Sequence, residues 1–408
     1  MKKFFALLLS LAMVLALVAC GQKETTTPDD TQTPDDTTPE VEYKIAMITD
    51  YGDITDQSFN QTTYEACKAF AEDNSIEFSY FKPAGDNTAD RVAMIEKAVN
   101  DGFNVIVMPG YAFGGAIVEA APEFPDVKFI ALDVAAGDLL ETAVAKAGEA
   151  YDYTPENWDL NKYVDMSNVY CAVYQEELCG YMAGYAAVKL GYKNLGFLGG
   201  MSVPAVVRYG YGFVQGVDAA AADLGLTDVK LNYIYGGQFF GDADITAVMD
   251  TWYQGGTEVV FACGGGIYTS AVDAAKKANA KVIGVDVDQA GVIAKYAGVD
   301  GMTVTSAMKG LYPATYDTLT DVIVNGNWDK YVGKIATLGL VSGTDPEANY
   351  VQIPMGDGTQ WSDSFTQDDY KAMVADMFDG KVTVSNDTKK AAKDFATVIT
   401  VDDQGQIK

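Results

Sequence analysis

A polar and aromatic run, Asp56-Gln57-Ser58-Phe59-Asn60-Gln61, follows the apolar segment at 43–49 after a six-residue loop, Asp50–Thr55. Asp56 is placed to cap a helix, which puts Phe59 and Asn60 in the first turn, where an aromatic face and an amide can meet a ligand together. Other chemistry-bearing residues stand in the same relation to apolar runs: Asp133, Gly264-Gly265-Gly266, Asp286 and Lys309. Tyr209 supplies a second aromatic, on a helical stretch. These types suit the holding of a flat, weakly polar ring better than the making of bonds. An aromatic pair adds about 0.5–1.5 kcal/mol beyond burial, and Phe59 and Tyr209 would form such a sandwich. Asn60 both donates and accepts while Asp133 accepts only, so the two can read the edge of a heterocycle. Asp286 can accept from vicinal hydroxyls, Lys309 can donate to an oxygen of the same ligand, and the glycine run permits close backbone approach.

Each residue also has a plainer role open to it. Phe59 shares a helical face with Ala66 and Phe70, and Tyr209 sits beside Val206 and Phe213, so both fit a core. Asp133 and Asp286 equally suit helix caps, Gly264–Gly266 a tight turn, and Lys309 a solvated surface position.

The chain has 408 residues and no histidine. That excludes Ser-His-Asp and Cys-His catalysis and any His-ligated metal site. Asp50, Asp53 and Asp56 recur every third residue, which is not an EF-hand spacing. No phosphate-cradling GxGxxG or GxxxxGK motif occurs. Neither a metal nor a cofactor is expected, and no nucleophile has a partnered base, so the reading is of a binding protein and not an enzyme. Cys67, Cys171, Cys179 and Cys263 show no CxxC spacing and read as small buried apolar residues without a disulfide. The formal charge of −29 argues against nucleic-acid binding, which depends on cationic side chains at phosphates.

Short apolar runs must place these residues. Ten strands are expected, at 43–49, 76–81, 104–109, 127–133, 168–173, 194–200, 229–235, 258–263, 281–286 and 302–307, with helices between them, as at 90–100 and 270–278. Near-continuous apolar runs mark parallel strands covered on both faces. Alternation with helices predicts an α/β protein of two doubly wound parallel-sheet lobes. In such sheets ligands bind outside the carboxyl ends of the strands, and a hinge between lobes would close the cleft. Residues 43–192 are read as the N-terminal lobe, completed by part of 307–350. Residues 193–306 are read as the C-terminal lobe, with part of 351–408. The acidic, Tyr-rich stretch 134–167 is expected to be a helix plus an excursion over the surface. Trp361, Phe365, Tyr370, Met373 and Phe378, at near-helical spacing, are expected to dock against a lobe.

Met1-Lys2-Lys3 and the apolar run Phe4–Ala19 form a secretory signal, too short for the ~20 residues that span a bilayer. Leu17-Val18-Ala19-Cys20 resembles the lipobox of bacterial lipoproteins. The resemblance implies a signal peptide at 1–19, lipidated Cys20, and anchoring by palmitate or a similar chain on the extracytoplasmic face of the cell membrane. Residues 20–42, rich in Thr, Pro and Asp, would be a disordered linker.

The Asp56–Gln61 run resembles the D-x-S-F-N-Q hallmark of the basic membrane lipoproteins, substrate-binding components of ABC importers that include purine-nucleoside receptors. Further motifs follow in that family's order: Phe129-Ile130-Ala131-Leu132-Asp133; Glu176, Glu177, Gly180, Tyr181 and Ala183-Gly184; Gly199-Gly200-Met201 with Pro204, Arg208-Tyr209 and Gly212-Phe213. Gly264–Gly266, Gly284-Val285-Asp286-Val287-Asp288-Gln289 and Ser306-Ala307-Met308-Lys309 complete the set, which spans about residues 43–330. The resemblance implies a type I periplasmic-binding-protein-like fold, capture of a purine nucleoside between two lobes, and delivery to an ABC permease. It leaves open another, vitamin-like heterocycle, or a sensor in place of a transporter component. Tyr209 stands where the family usually carries Phe, and the 134–167 stretch is longer than the family's.

Overall fold

The computed structural model describes residues 42–407; the signal peptide, Cys20 and nearly all of the linker read from the sequence lie outside the described residues. Ten strands occupy the ten apolar runs: β1 (Lys44–Ile48), β2 (Glu77–Phe81), β3 (Val105–Pro109), β4 (Lys128–Leu132), β5 (Val169–Tyr174), β6 (Asn194–Gly199), β7 (Lys230–Tyr235), β8 (Val259–Cys263), β9 (Lys281–Asp286) and β10 (Thr303–Lys309). β3 and β8 are buried at every position, which is why they read as unbroken apolar runs rather than alternating ones. Three further strands were not expected: β11 (Lys334–Leu338), β12 (Val351–Gln352) and β13 (Thr400–Gln406). β12 has only two residues, and β13 is a polar, exposed edge strand without an apolar run.

One sheet has the order β11-β5-β4-β3-β1-β2, the other β12-β10-β9-β8-β6-β7-β13. Parallel pairing holds throughout except between β10 and β12. Helices cover both faces, giving the doubly wound α/β architecture. The chain crosses from the first sheet to the second after Tyr174, returns after Lys309, and crosses again between Leu338 and Val351.

The first crossing differs from the expected boundary at 192. The Glu176–Lys189 helix packs on the Pro204–Asp223 helix and on β10, and so belongs with the second sheet. Glycines are the reason. A Cβ at Gly180 or Gly184 would collide with the carbonyl oxygens of Tyr209 and Phe213, and one at Gly212 or Gly216 with those of Glu177 and Tyr181. The two helices therefore approach nearly backbone to backbone.

Residues 134–167 form the Ala136–Lys146 helix and then an aromatic ladder. Tyr151, Tyr153, Trp158 and Tyr163 pack in successive ring pairs with centroids 5.3–5.7 Å apart. In the C-terminal segment Phe365 and Tyr370 are fully buried in the core that includes the helix pair, whereas Phe378 is exposed. Cys67, Cys171, Cys179 and Cys263 are buried free thiols.

Candidate functional site: the cleft at the strand ends

A cavity of about 500 Å³ opens where the carboxyl ends of the two sheets face one another, a size typical of small-molecule sites, which run to roughly 300–1,000 Å³. Its walls are residues at or just after the ends of β1, β2, β3, β4, β7, β8 and β9, together with Lys309 and the start of the Pro204–Asp223 helix. Every residue singled out from the sequence, Asp56, Phe59, Asn60, Asp133, Tyr209, Gly264, Asp286 and Lys309, lies on this wall. Parallel strands gather these residues from distant parts of the sequence because each strand ends on the same side.

The loop after β1 is held by its own side chains. Ser58, not Asp56, occupies the cap position of the Phe59–Asn74 helix, and Ser58 makes no capping bond. Asp56 does the capping from two residues earlier, accepting from the backbone N–H groups of Ser58, Asn60 and Gln61 at 2.9–3.1 Å. The Asn60 amide is committed too. It donates to Asp50 and Asp56 at 3.1 and 3.0 Å and accepts from the Asp50 N–H. The expected role of Asn60 in reading a base edge therefore gives way to one in shaping the loop. Burial pushes both the Asp50 and the Asp56 carboxyls up from the ordinary range, against the hydrogen bonds that lower them.

At the cleft centre Lys309 is buried, not solvated. Its ammonium donates to Asp133 at 2.5 Å and lies 3.6 Å from Glu176 and 3.7 Å from Asp286. Glu176 in turn accepts from Arg208 Nε at 2.7 Å. Burial alone would lower the lysine, but Asp133, Asp286 and Glu176 outweigh it and hold it well above its usual value. For Asp133 burial dominates, and its carboxyl is raised despite the ammonium beside it. Asp133 Oδ1 makes no hydrogen bond among the described residues.

Neither Asp133 nor Asp286 is a helix cap. Both have left-handed backbones, at φ +60° and +65°, a costly conformation for a non-glycine residue that clusters at functional sites. Asp286 accepts from the hydroxyls of Tyr209 at 3.1 Å and Ser58 at 2.5 Å. The Ser58 bond joins residues of the two lobes, as do Lys309–Asp133 and the Gln289 amide donating to the Gln57 carbonyl at 3.2 Å.

The Phe59–Tyr209 sandwich meets an obstacle. The Lys309 ammonium lies 4.6 Å from the Phe59 ring centroid and 5.6 Å from that of Tyr209. Tyr209 itself is fully buried, with its ring edge-on to Phe261 and its hydroxyl on Asp286. It braces the carboxylate. The aromatic wall of the second lobe is supplied instead by Phe239, with Phe240 exposed at its side. The Phe239 ring occupies a slot that only glycine permits: a Cβ at Gly200 would collide with it, and one at Gly264 would lie 2.6 Å away. Gly264 has φ +139°, so close approach and turn geometry both require glycine there. Sequence spacing does not mark Phe239, Glu176, Arg208, Tyr51, Tyr111 or Asp138 as residues of the cleft or its supports. Adjacent aromatics after Gly236-Gly237 were the available signal for Phe239.

Asp138, on the cleft wall, accepts from the Ala135 N–H at 2.7 Å. Burial pushes its carboxyl up to about 7. Glu177 is likewise raised to about 7 by burial.

Residues 43–344 match the family model described as ABC transporter substrate-binding protein PnrA-like. The ABC transporter nucleoside-binding protein BmpA of Lactococcus lactis is 25% identical over 359 residues, covering 85% of this chain and 90% of its own. An uncharacterized lipoprotein of Pyrococcus abyssi is 26% identical over 311 residues, covering 73% and 67%. A crystal structure of ABC transporter solute-binding proteins from Aeropyrum pernix superposes with a TM-score of 0.60 at 19% identity, covering 86% of this chain and 90% of that one. That likeness establishes the fold as the two-lobed one of periplasmic binding proteins. With a cleft at the strand ends and the family match across most of the chain, this protein belongs to the PnrA-like ABC transporter substrate-binding proteins.

Proposed function

We propose that the cleft captures a purine nucleoside and that the protein hands it to the permease of an ABC importer. The observation that carries this reading is Asp133 Oδ1, an acceptor without a partner on the wall of a cavity that also carries Phe59 and Phe239. A ring between aromatic faces gains about 0.5–1.5 kcal/mol from each pair. Its N–H groups would satisfy an acceptor whose isolation costs about 1–3 kcal/mol. In this reading Asp286, aimed by Tyr209 and Ser58, takes the ribose hydroxyls, and its remaining lone pairs suffice for them. Gly264 leaves room for the Phe239 ring against the cleft wall, and one of the three protons of the Lys309 ammonium can serve a ribose oxygen. Asp56 and Asn60 hold the loop that presents Phe59. The name of the Lactococcus lactis relative, a nucleoside-binding protein, supports the same ligand class.

In this reading the protein sits on the outer face of the cell membrane, held by lipid on Cys20; the lipobox-like Leu17–Cys20 supports it, as does the name of the Pyrococcus abyssi relative, a lipoprotein. Palmitate labelling tests this, with label expected on the wild type and lost in Cys20→Ser. Titration calorimetry with inosine, guanosine, adenosine and uridine tests the ligand. The expected result is binding of the purine nucleosides ahead of uridine; failure to bind any of the four defeats the reading.

A further inference from the structure

The buried charges around Lys309 are incompletely paired inside the protein. An ammonium has three protons to donate, and among the described residues Lys309 hydrogen-bonds only Asp133. Glu176 is fully buried, and its Oε1 accepts no hydrogen bond although it lies 3.6 Å from Lys309 Nζ. Isolated buried carboxylate oxygens are costly and call for a reason. Glu176 does not line the cavity, so a ligand does not reach this oxygen directly.

The position of this pair in the chain supplies the reason. Glu176 opens the helix that follows the first crossing between sheets, and Lys309 ends β10 immediately before the second. The third crossing is tied to the first: the Gln175 N–H donates to the Leu338 carbonyl at 2.9 Å, and the Gln175 side chain lies where a Cβ at Gly339 would be. Gly310, next to Lys309, donates to the Tyr350 carbonyl at 2.7 Å. All three connections between lobes thus meet at Gln175–Glu176 and Lys309–Gly310.

We propose that Glu176 is a positioning residue, the second acceptor of Lys309, and that transfer of the ammonium from Asp133 to Glu176 couples occupancy of the cleft to the angle of the hinge. With Asp133 engaged by a ligand, Lys309 turns to Glu176 Oε1 and pulls the two crossings together. Arg208 holds Glu176 Oε2 and fixes the direction in which Oε1 points. The inference rests on the cleft binding a ligand through Asp133 but not on which ligand that is.

The test needs no ligand. Tyr80, on the first lobe, and Leu224, at the end of a second-lobe helix, are exposed. Replacing both with cysteine gives spin-label sites, since the other described cysteines are buried. Asp133→Asn removes the charge that competes for the ammonium and is expected to shift the inter-label distance distribution relative to the parent. Adding Glu176→Gln, which leaves a carbonyl oxygen for Arg208, is expected to abolish that shift. Lys309→Gln in place of Glu176→Gln should abolish it as well and serves if the first double variant does not fold. Identical distances for parent and Asp133→Asn, or a shift that survives loss of Glu176 or Lys309, overturn the proposal. Nucleoside calorimetry on the wild type separately decides the ligand reading.

Discussion

Asp218 and Asp133 are both buried carboxylates, and the fold treats them in opposite ways. Asp218, on the Pro204–Asp223 helix, accepts from the backbone N–H groups of Thr397, Val398 and Ile399 and from the Thr397 hydroxyl, at 2.6–3.2 Å. Tyr211 and Gln215 on the same helix bond to Lys390 and Ser385, so this face is fully occupied by the C-terminal segment. Asp133 has one cation, a left-handed backbone and an oxygen without a partner. A structural carboxylate saturates its lone pairs within the chain. A carboxylate left short within the chain, as Asp133 is, stays open to a partner from outside it, and the rest of the fold carries the cost.

That contrast should separate in mutants. Asp218→Ala leaves three backbone N–H groups unpaired and is expected to destabilise the protein by on the order of 3 kcal/mol or more. Ligand affinity should not change. Urea unfolding followed by calorimetry checks both halves. Asp133→Asn is expected to do the reverse, with stability nearly unchanged and purine-nucleoside affinity reduced about tenfold or more, since a charged acceptor bond contributes roughly 1.5–3 kcal/mol. If Asp133→Asn unfolds the protein as readily as Asp218→Ala does, the distinction between the two carboxylates fails.

A smaller effect discriminates between the two aromatics of the second lobe. Phe239→Ala should weaken every flat base alike by about 1 kcal/mol, the scale of an aromatic pair. Tyr209→Phe keeps the ring and removes the hydroxyl that braces Asp286. It should change ribose over 2′-deoxyribose preference more than it changes preference among bases. Calorimetry with inosine, 2′-deoxyinosine and uridine distinguishes these outcomes.

The sequence was most legible where burial writes a continuous apolar run, so the places of ten strands along the chain could be read directly. β13 escaped because an exposed edge strand needs no apolar side chains, as Thr400–Gln406 shows. All eight site residues fell on the cleft wall because parallel strands end together. Their partners were less legible. Lys309 and Asp133 are 176 residues apart, and neither propensity nor spacing reports that an ammonium will settle between Phe59 and Tyr209. Asn60 has the chemistry of a base reader, but Asp50 and Asp56, within ten residues of it, use up its amide. Gly180, Gly184 and Gly212 stand in the family-like motifs, but the pairing of their helices, and so their place in the second lobe, depends on a close backbone approach that sequence spacing does not report.

The smallest expected effect concerns the pH dependence of the cleft carboxyls that lie away from Lys309. Burial raises Asp138 to about 7 from an ordinary 3.8. A carboxyl with a raised folded-state pKa binds its proton more tightly in the native state than in the unfolded chain. Its contribution to stability is therefore fully present below about pH 4 and is lost as the pH rises toward 7. Asp138→Asn keeps an oxygen for the Ala135 N–H and cannot ionise. It should flatten the decline in stability between pH 5 and pH 8 by about 1 kcal/mol, the value of less than one pKa unit, because Asp138 is partly exposed and solvent screens part of the shift. Asp218→Asn provides the contrast: it replaces one acceptor oxygen of a saturated site by a donor and should lower the stability itself. Thermal melts of the three proteins at pH 5, 6.5 and 8 check this. An unchanged slope in Asp138→Asn would mean that the carboxyl ionises freely in the native cleft, and the assignment of a burial penalty to this wall would fall.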